Sequence, residues 1–393
     1  MIVMARPADA LMSTMRRELT RIREDRLTHW LMLWLPVAGC ALVVWMFWTR
    51  TITELPVVLV DNDNSAQSRA LAIAIDATPA TRITERTIDM RQAAARVLSG
   101  RAYAAIEIPA KFEHDLLRGE QATVSLLVDQ QALPAANAIA TAVENAVATR
   151  SATLAANVRM RQGTPQYAAI AATQTIRMQL HPLFNPGIDY AAFLGIALVA
   201  ATLHSFVIIH AVMAFATERR DRTVPQWAEA ADGSPIIALL GKLTPLIVWW
   251  IVFGLATMLG TFAVLGMRGP ENLFVYCCGF ALLVLAYLVI GVSMALWFPR
   301  IHLAASAASL IAAPAIAFCG LTFPLAAMPL GARLAGQMLP LTHFLDLQVS
   351  QVIMHTPASY AWPQMLQLAA FVVVFGVLAL LGMRRCVQRE ASS

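Results

Sequence analysis

Six stretches of this chain are apolar on every side: residues 27–48, 190–216, 236–266, 273–297, 301–323 and 363–383. A hydrocarbon layer about 30 Å thick takes roughly 20 apolar residues of helix to cross, and all six reach that length. None of the six contains Asp or Glu. The pattern predicts an α-helical polytopic membrane protein with six transmembrane helices, and an even number of crossings leaves both termini on one side. The first run has no small-residue cleavage site after it, so it is expected to stay as a span rather than be removed as a signal peptide.

Between the first two spans the pattern changes. Residues 49–189 hold 13 Lys/Arg and 13 Asp/Glu, with apolar runs too short to cross a bilayer. Residues 56–60 read as a buried strand, and Asp61-Asn62-Asp63-Asn64 as the turn and cap before a helix over 65–76, with Leu71 and Ile75 on one face. Further strands are predicted at 82–84, 103–108 and 123–128. Further helices are predicted after Asp89 up to Gly100, from Pro109 to residue 118, and as a long Ala-rich segment over 132–160. This is a soluble α/β domain inserted between two spans. At the N-terminus, Leu11, Met15, Leu19, Ile22 and Arg26 recur at roughly helical spacing, with Arg16, Arg17, Arg21 and Arg23 on the remaining surface. Such a helix is expected to lie along the cytoplasmic membrane interface, with a solvated basic tail that only fixes topology as the alternative.

Composition fits this class, with 58% hydrophobic and 13% charged residues. The net charge of +5 sits next to the spans rather than in a basic stripe with interleaved aromatics, so no nucleic-acid partner is expected. Its distribution reports orientation instead. The N-terminal tail, the connection after the second span with Lys242, Arg300 and the C-terminal tail together carry 14 positive residues, while the short connections on the other side carry only Arg268 and Arg333. The positive-inside rule places both termini in the cytoplasm and residues 49–189 outside it. Trp30, Trp34, Trp45, Trp48 and Trp362 lie near span ends, where amphipathic rings sit at headgroup level.

Candidate chemistry is sparse. Asp61 and Asp63 lack the further carboxylates and the glycine of a calcium loop, and a turn and capping role is expected; His114 and His181 have no partner at ligand spacing. No metal site, nucleophile–base pair or catalytic residue is expected. Gly241-Lys242-Leu243 has no glycine five residues earlier and no Ser or Thr after the Lys, so the chain has no phosphate-binding loop and binds no cofactor of its own. His204 and His210 lie in the second span and His302 near the start of the fifth; ionisable residues at that depth are candidates for a transport pathway, with a hydrogen bond to a neighbouring helix as the alternative. Residues 318–343 are broken by Gly320, Pro324, Pro329, Gly331, Gly336 and Pro340. Broken backbone at membrane depth must be buried in protein or line a cavity, so Phe323, Pro324 and His343 join the candidate pathway, and residues 324–360 are expected as an outer re-entrant or interfacial segment. An ordinary external loop is the alternative.

Several motifs keep a fixed order relative to the spans. Leu183-Phe184-Asn185-Pro186 precedes the second, Glu218-Arg219 with Thr223 follows it, Gly241-Lys242 opens the third, and Phe323-Pro324, Met328-Pro329 and Leu339-Pro340-Leu341-Thr342-His343 precede the sixth. In this the chain resembles the ABC transporter type-2 permeases, the multidrug-export branch with a large extracytoplasmic domain. Residues 57–71, with the Val60-Asp61-Asn62-Asp63-Asn64-Ser65 core, are similar to the start of that family's external domain. The resemblance implies that Glu218, Arg219, Arg220, Asp221, Thr223 and Gln226 belong to a coupling segment, residues 217–235, that contacts a separate ATPase. It also implies that residues 1–26, with Arg16, Arg17, Arg21 and Arg23, form a connecting helix beside it. The family often has Gly before the Thr and Glu after it; here Arg222 and Pro225 stand there. A proline cannot continue a helix interior undisturbed, so the element is expected to be short or to begin at Pro225.

The expected function is the permease of an ATP-driven exporter in a bacterial inner membrane, moving an apolar or amphipathic substrate, drug-like or lipid. ATP and Mg are then bound by the partner ATPase, and the permease pairs with a second permease, identical or not. A periplasmic adaptor and an outer-membrane channel are further candidate partners for the domain 49–189. The domain order is completed by five spans over 190–383 and a tail over 384–393. Two alternatives are weaker. An ion-coupled secondary transporter needs carboxylates inside its spans. A membrane-anchored receptor or scaffold needs no six crossings.

Overall fold

A computed structural model describes residues 7–118, 120–161, 185 and 189–391. The chain divides into two units, residues 1–50 with 183–393, and residues 51–182. The motif Leu183-Phe184-Asn185-Pro186 lies outside the described residues except for Asn185, as do Arg6 and His181.

In the first unit, helix α1 (Pro7–Glu24) precedes the first candidate span, α2 (Arg26–Met46). Beyond the inserted unit come α7 (Ala191–Arg220), α9 (Pro235–Val264), α10 (Leu273–Trp297) and α11 (Ile301–Phe318), and the sixth candidate span covers Ala358–Gln388 within and just before α14 (Trp362–Ala391). The short helix α8 (Val224–Ala230) joins α7 to α9; α12 (Leu330–Gln337) and α13 (Pro340–Gln348) precede α14. Six helices among the described residues are thus long and apolar enough to cross a membrane, and the chain is a multi-pass membrane protein.

Close approach of small residues builds the bundle. A Cβ added at Gly291 of α10 would lie 2.7 Å from the Ile208 carbonyl oxygen and 2.8 Å from Ala211 Cβ of α7. Only a residue without a side chain lets these two backbones come so near. Ser293 hydroxyl donates to the Phe375 carbonyl at 2.9 Å and Trp297 Nε1 to the Leu378 carbonyl at 2.9 Å, tying α10 to α14. Only the end of the broken segment is packed inside this body, while Phe323, Leu330, Leu334 and Met338 before it are exposed. Pro340, Leu341, Thr342, His343, Phe344, Leu345 and Leu347 of α13 are all buried, and Thr342 hydroxyl donates to the Gly336 carbonyl at 2.6 Å.

One boundary lies four residues beyond its expected place. Hydropathy ends the second span at residue 216, but α7 continues to Arg220 and carries Glu218, which is fully buried. Apolar content falls before the hydrogen-bonded helix does, because the charges of the last turn are paired.

In the second unit, strands β1 (Leu55–Asp61), β2 (Thr81–Thr87), β3 (Ala104–Ile108) and β4 (Ser125–Val128) form one sheet in the order β2-β1-β3-β4, with β1 parallel to β2 and β3, and β4 antiparallel to β3. Helices α3 (Ala66–Asp76), α4 (Met90–Leu98), α5 (Phe112–Arg118) and α6 (Leu133–Arg161) accompany it. The central strand β1 is buried on both faces, which is why it reads as an unbroken apolar run. Val57 and Leu59 meet Leu71 and Ile75 of α3 and Ile139 and Val143 of α6, while Val58 and Val60 meet Ala93 of α4.

Asp61 Oδ1 accepts from the Asn64 amide at 2.9 Å and its Oδ2 from the Ser68 hydroxyl at 2.9 Å, while Ser65 caps α3. Asp63 Oδ2 accepts the Glu113 amide of α5 at 3.1 Å. That helix begins at Phe112 rather than at Pro109, because Lys111 takes a left-handed φ of 70°.

Candidate functional site

The chemistry-bearing residues of the first unit gather where α1, α7, α8 and α9 meet. Glu218, in the last turn of α7, accepts from Arg17 through both oxygens at 2.8 Å, from Arg21, from the Thr223 hydroxyl, and from Lys242 Nζ at 2.8 Å. Lys242 of α9 also donates to Glu18 of α1. Its ammonium lies 5.6 Å from the Phe215 ring of α7 and 5.5 Å from the Trp227 ring of α8. Lys242 and Glu218 side chains have no exposed surface, whereas Arg17 and Arg21 retain about a quarter of theirs. Arg21 reaches Asp221 at 3.6 Å. Three cations, Arg17, Arg21 and Lys242, therefore face three carboxylates, Glu18, Glu218 and Asp221.

Buried charges persist only when paired and hydrogen-bonded. The bidentate guanidinium fork of Arg17 supplies one such pairing, and its hydrogen bond to Glu218 holds the Arg17 pKa above its ordinary value. At the exposed edge of the cluster, Asp221 is held below the ordinary carboxylate range by its bond to Arg220, 2.7 Å long.

Local sequence explains how α1 comes so close. Gly241 precedes Lys242, and a Cβ there would lie 2.6 Å from Thr14 Cβ. The inward stripe of α1 is Ala10, Thr14 and Glu18, all buried, flanked by Arg17 and Arg21, while Leu19 is 44% exposed. The helix is present as the sequence predicts. Its buried stripe on α9 is small and polar, with two of the arginines beside it, while of the apolar set Ile22 packs on the core and Leu19 stays exposed. Apolar periodicity cannot reveal this, since the partner is Lys242, about 220 residues away.

Helix α8 is set off from α7 by Arg222 in a left-handed conformation, φ 57°. The Thr223 amide donates to the Glu218 carbonyl at 2.9 Å, closing the end of α7, so position 222 is the left-handed cap where glycine is unstrained. Pro225 lies at the first turn of α8, the one place in a helix that tolerates it, and does not interrupt a longer element. Val224 and Trp227 point inward, and Trp227 Nε1 donates to the Ala238 carbonyl at 3.1 Å. Pro225, Gln226 and Glu229 are exposed.

The residues expected to contact a soluble partner thus separate. Glu218 is closed off, and Thr223 is half-buried against it. Arg219 turns to α10, donating to the Phe298 carbonyl at 2.7 Å and the Ala295 carbonyl at 3.2 Å. Arg220 and Asp221 pair at the surface, and Gln226 lies on the open face of α8. Arg16 and Arg23 are exposed on α1. The residues that sequence reasoning missed are Glu18 and Lys242; a carboxylate at the third turn of a basic helix and a Lys inside an apolar run were the available signals.

The candidate pathway residues do not share one cavity among the described residues. His204 packs on the Tyr287 ring at 4.6 Å, and neither of its nitrogens has a hydrogen-bond partner among the described residues. His210 accepts from Trp250 Nε1 at 3.0 Å and lines a cavity of about 200 Å³ with Arg21, Ile22, Asp25 and Met213. His343 Nε2 lies 2.8 Å from the Gln337 carbonyl, Phe323 is 52% exposed, and Pro324 opens a short 3-10 turn.

Residues 26–381 match the family model described as "ABC-2 family transporter protein". The chain is also 25% identical over 295 residues to the inner membrane transport permease YhhJ of Escherichia coli K12, covering 74% of this chain and 75% of that protein. The Shigella flexneri protein of the same name matches to the same extent.

Proposed function

The chain belongs to the ABC-2 family of transporter proteins and is a membrane permease of an ABC transporter, and from that premise we propose that it is the transmembrane half of an exporter whose ATPase docks on the open face of α8. The observation that carries this reading is the joint behind α8. Trp227 and Thr223 bind that helix to Lys242 and Glu218, and those two bind α1, α7 and α9 to one another. A displacement delivered to Gln226 and Glu229 by a soluble motor is therefore shared at once by the feet of two spans and the N-terminal helix. Close packing and paired charge transmit such a displacement because neither deforms gradually.

In this reading both termini and α8 face the cytoplasm and the α/β unit faces outward. Two permeases pair, and an apolar or amphipathic substrate leaves between them. The α/β unit offers a surface to a periplasmic adaptor and outer-membrane channel where a second membrane exists. Residues 1–26 serve as the connecting helix. His204, His210, Phe323, Pro324 and His343 remain proposed pathway residues.

Orientation is checked by single-cysteine labelling. With the five native cysteines replaced, a cysteine at Ser125 should react with an impermeant maleimide in intact cells, and one at Arg16 only after permeabilisation. Reaction at Arg16 from outside would reverse the orientation. The motor is checked by purification: the tagged chain alone should turn over no ATP, and co-expression with its ABC ATPase should yield a stoichiometric complex that does. Sustained ATP turnover by the isolated chain would refute the division of labour.

A further inference from the structure

A second cavity, of about 700 Å³, lies where α7 and α10 end and α11 begins. Its lining includes Arg219, Arg220, Arg222, Arg300 and His302, with Phe298 beside them, and no carboxylate side chain. Arg220 is neutralised by Asp221, and Arg219 is held by the carbonyls that end α10. Among the described residues no carboxylate pairs with Arg219, Arg222 or Arg300. The Arg222 backbone adopts φ 57°, a conformation that glycine takes freely and arginine does not. A strained residue kept at a charged cavity points to a use for its side chain.

We propose that this cavity binds the phosphate headgroup of an anionic phospholipid. Guanidinium forks match phosphate oxygens through paired hydrogen bonds, and two of the four around this opening, Arg222 and Arg300, have neither a carboxylate nor a carbonyl partner among the described residues. Placement selects a lipid over a soluble anion. Arg220 is the last residue of one candidate span, Trp297 the last of another and Ile301 the first of a third, so the cavity lies at the level where hydrocarbon gives way to water. Exposed apolar side chains adjoin it: Trp297 is 43%, Phe298 38% and Leu303 48% exposed. They offer acyl chains a surface next to the headgroup. Basic clusters at this depth hold anionic lipid by the same attraction that draws juxtamembrane basic segments to a membrane. The inference rests on the span assignment and not on the export reading.

The test uses the full-length chain in nonionic detergent, titrated with dioctanoyl phosphatidylglycerol, dioctanoyl phosphatidylcholine and inorganic phosphate, with binding read by microscale thermophoresis. Phosphatidylglycerol should bind at least tenfold tighter than either of the others. The exposed pair R222Q/R300Q should lose at least tenfold in phosphatidylglycerol affinity, R222K/R300K should lose less than the glutamine pair, and R268Q/R333Q, in other connections, should behave as the parent. The lysine pair keeps the charge and guards against a folding defect in the glutamine pair, as does a matched elution profile. Unchanged lipid affinity in R222Q/R300Q would overturn the site. Inorganic phosphate binding as tightly as the lipid would assign it to a soluble anion. A glutamine pair that keeps its lipid but loses a co-expressed ATPase would assign the arginines to the protein partner, and either result defeats the proposal.

Discussion

A Glu218→Ala chain is expected to lose its thermal stability in detergent, with a melting midpoint roughly 6–20 °C below the parent, because removing one partner of a buried charge network costs about 3–5 kcal/mol. The carboxylate it deletes is the acceptor for Arg17, Arg21, Lys242 and Thr223 together, with no exposed surface of its own. Solvent cannot take its place at Lys242, which is equally buried. A surface ion pair, by contrast, is worth only about 0–1 kcal/mol. Lys242→Met should be similarly damaging, since it strands Glu18, which is 3% exposed. Combining Glu18→Leu with Lys242→Met removes both members of that pair and leaves Arg17, Arg21, Glu218 and Asp221 in balance. The double variant should melt within a few degrees of the parent, because apolar replacement of a complete buried pair is often neutral or stabilising. The readout is the fraction of monodisperse protein left after heating, followed by size-exclusion chromatography. A Glu218→Ala chain that melts with the parent would remove the joint from any account of this protein.

Positive charge placed on the open face of α8 should do the opposite: leave the fold intact and abolish coupling. Gln226 and Glu229 are exposed and three residues apart, hence neighbours on one helical face. Exposed substitutions away from special features usually change stability by no more than about 0.5 kcal/mol. At a docking surface, however, wrongly placed charge slows association and penalises the bound state. A Gln226→Lys/Glu229→Lys chain is therefore expected at normal membrane abundance, with the parental melting midpoint. Co-purified ATPase should fall at least tenfold, equivalent to about 1.4 kcal/mol of binding free energy, and export should disappear with it. Measuring abundance, melting and ATPase capture on the same preparations separates the two residue classes. Retained capture together with retained export would place the motor elsewhere, for instance on the exposed Arg16 and Arg23 of α1.

The same contrast shows where sequence patterning stops. Each transmembrane run is legible because a bilayer demands about 20 consecutive apolar residues, a constraint local in sequence. The α/β unit is legible for a related reason. Its central strand, caps and helix ends are written in runs of a few residues, such as Asp61 to Ser65 before α3 and Gly100 after α4. The proline in α8 is legible up to its effect: it had to begin an element or break one, and the turn at Arg222 decides that it begins one.

Pairings between distant segments are another matter. The amphipathic pattern of α1 predicts a helix along the membrane interface and says nothing of its partners; α1 turns Glu18 and two arginines inward because Gly241 admits its backbone to α9 and Lys242 waits there. Glu218 reads as a surface charge after a span, and only the packing of four helices makes it the most enclosed carboxylate of the joint. Sequence alone determined which segments are long and apolar enough to cross a membrane and which form the α/β unit, because hydropathy and capping act over short stretches of chain. Tertiary structure alone decided which charges are buried and which remain open to a partner, because a charge is buried only where another segment brings the opposite charge to meet it.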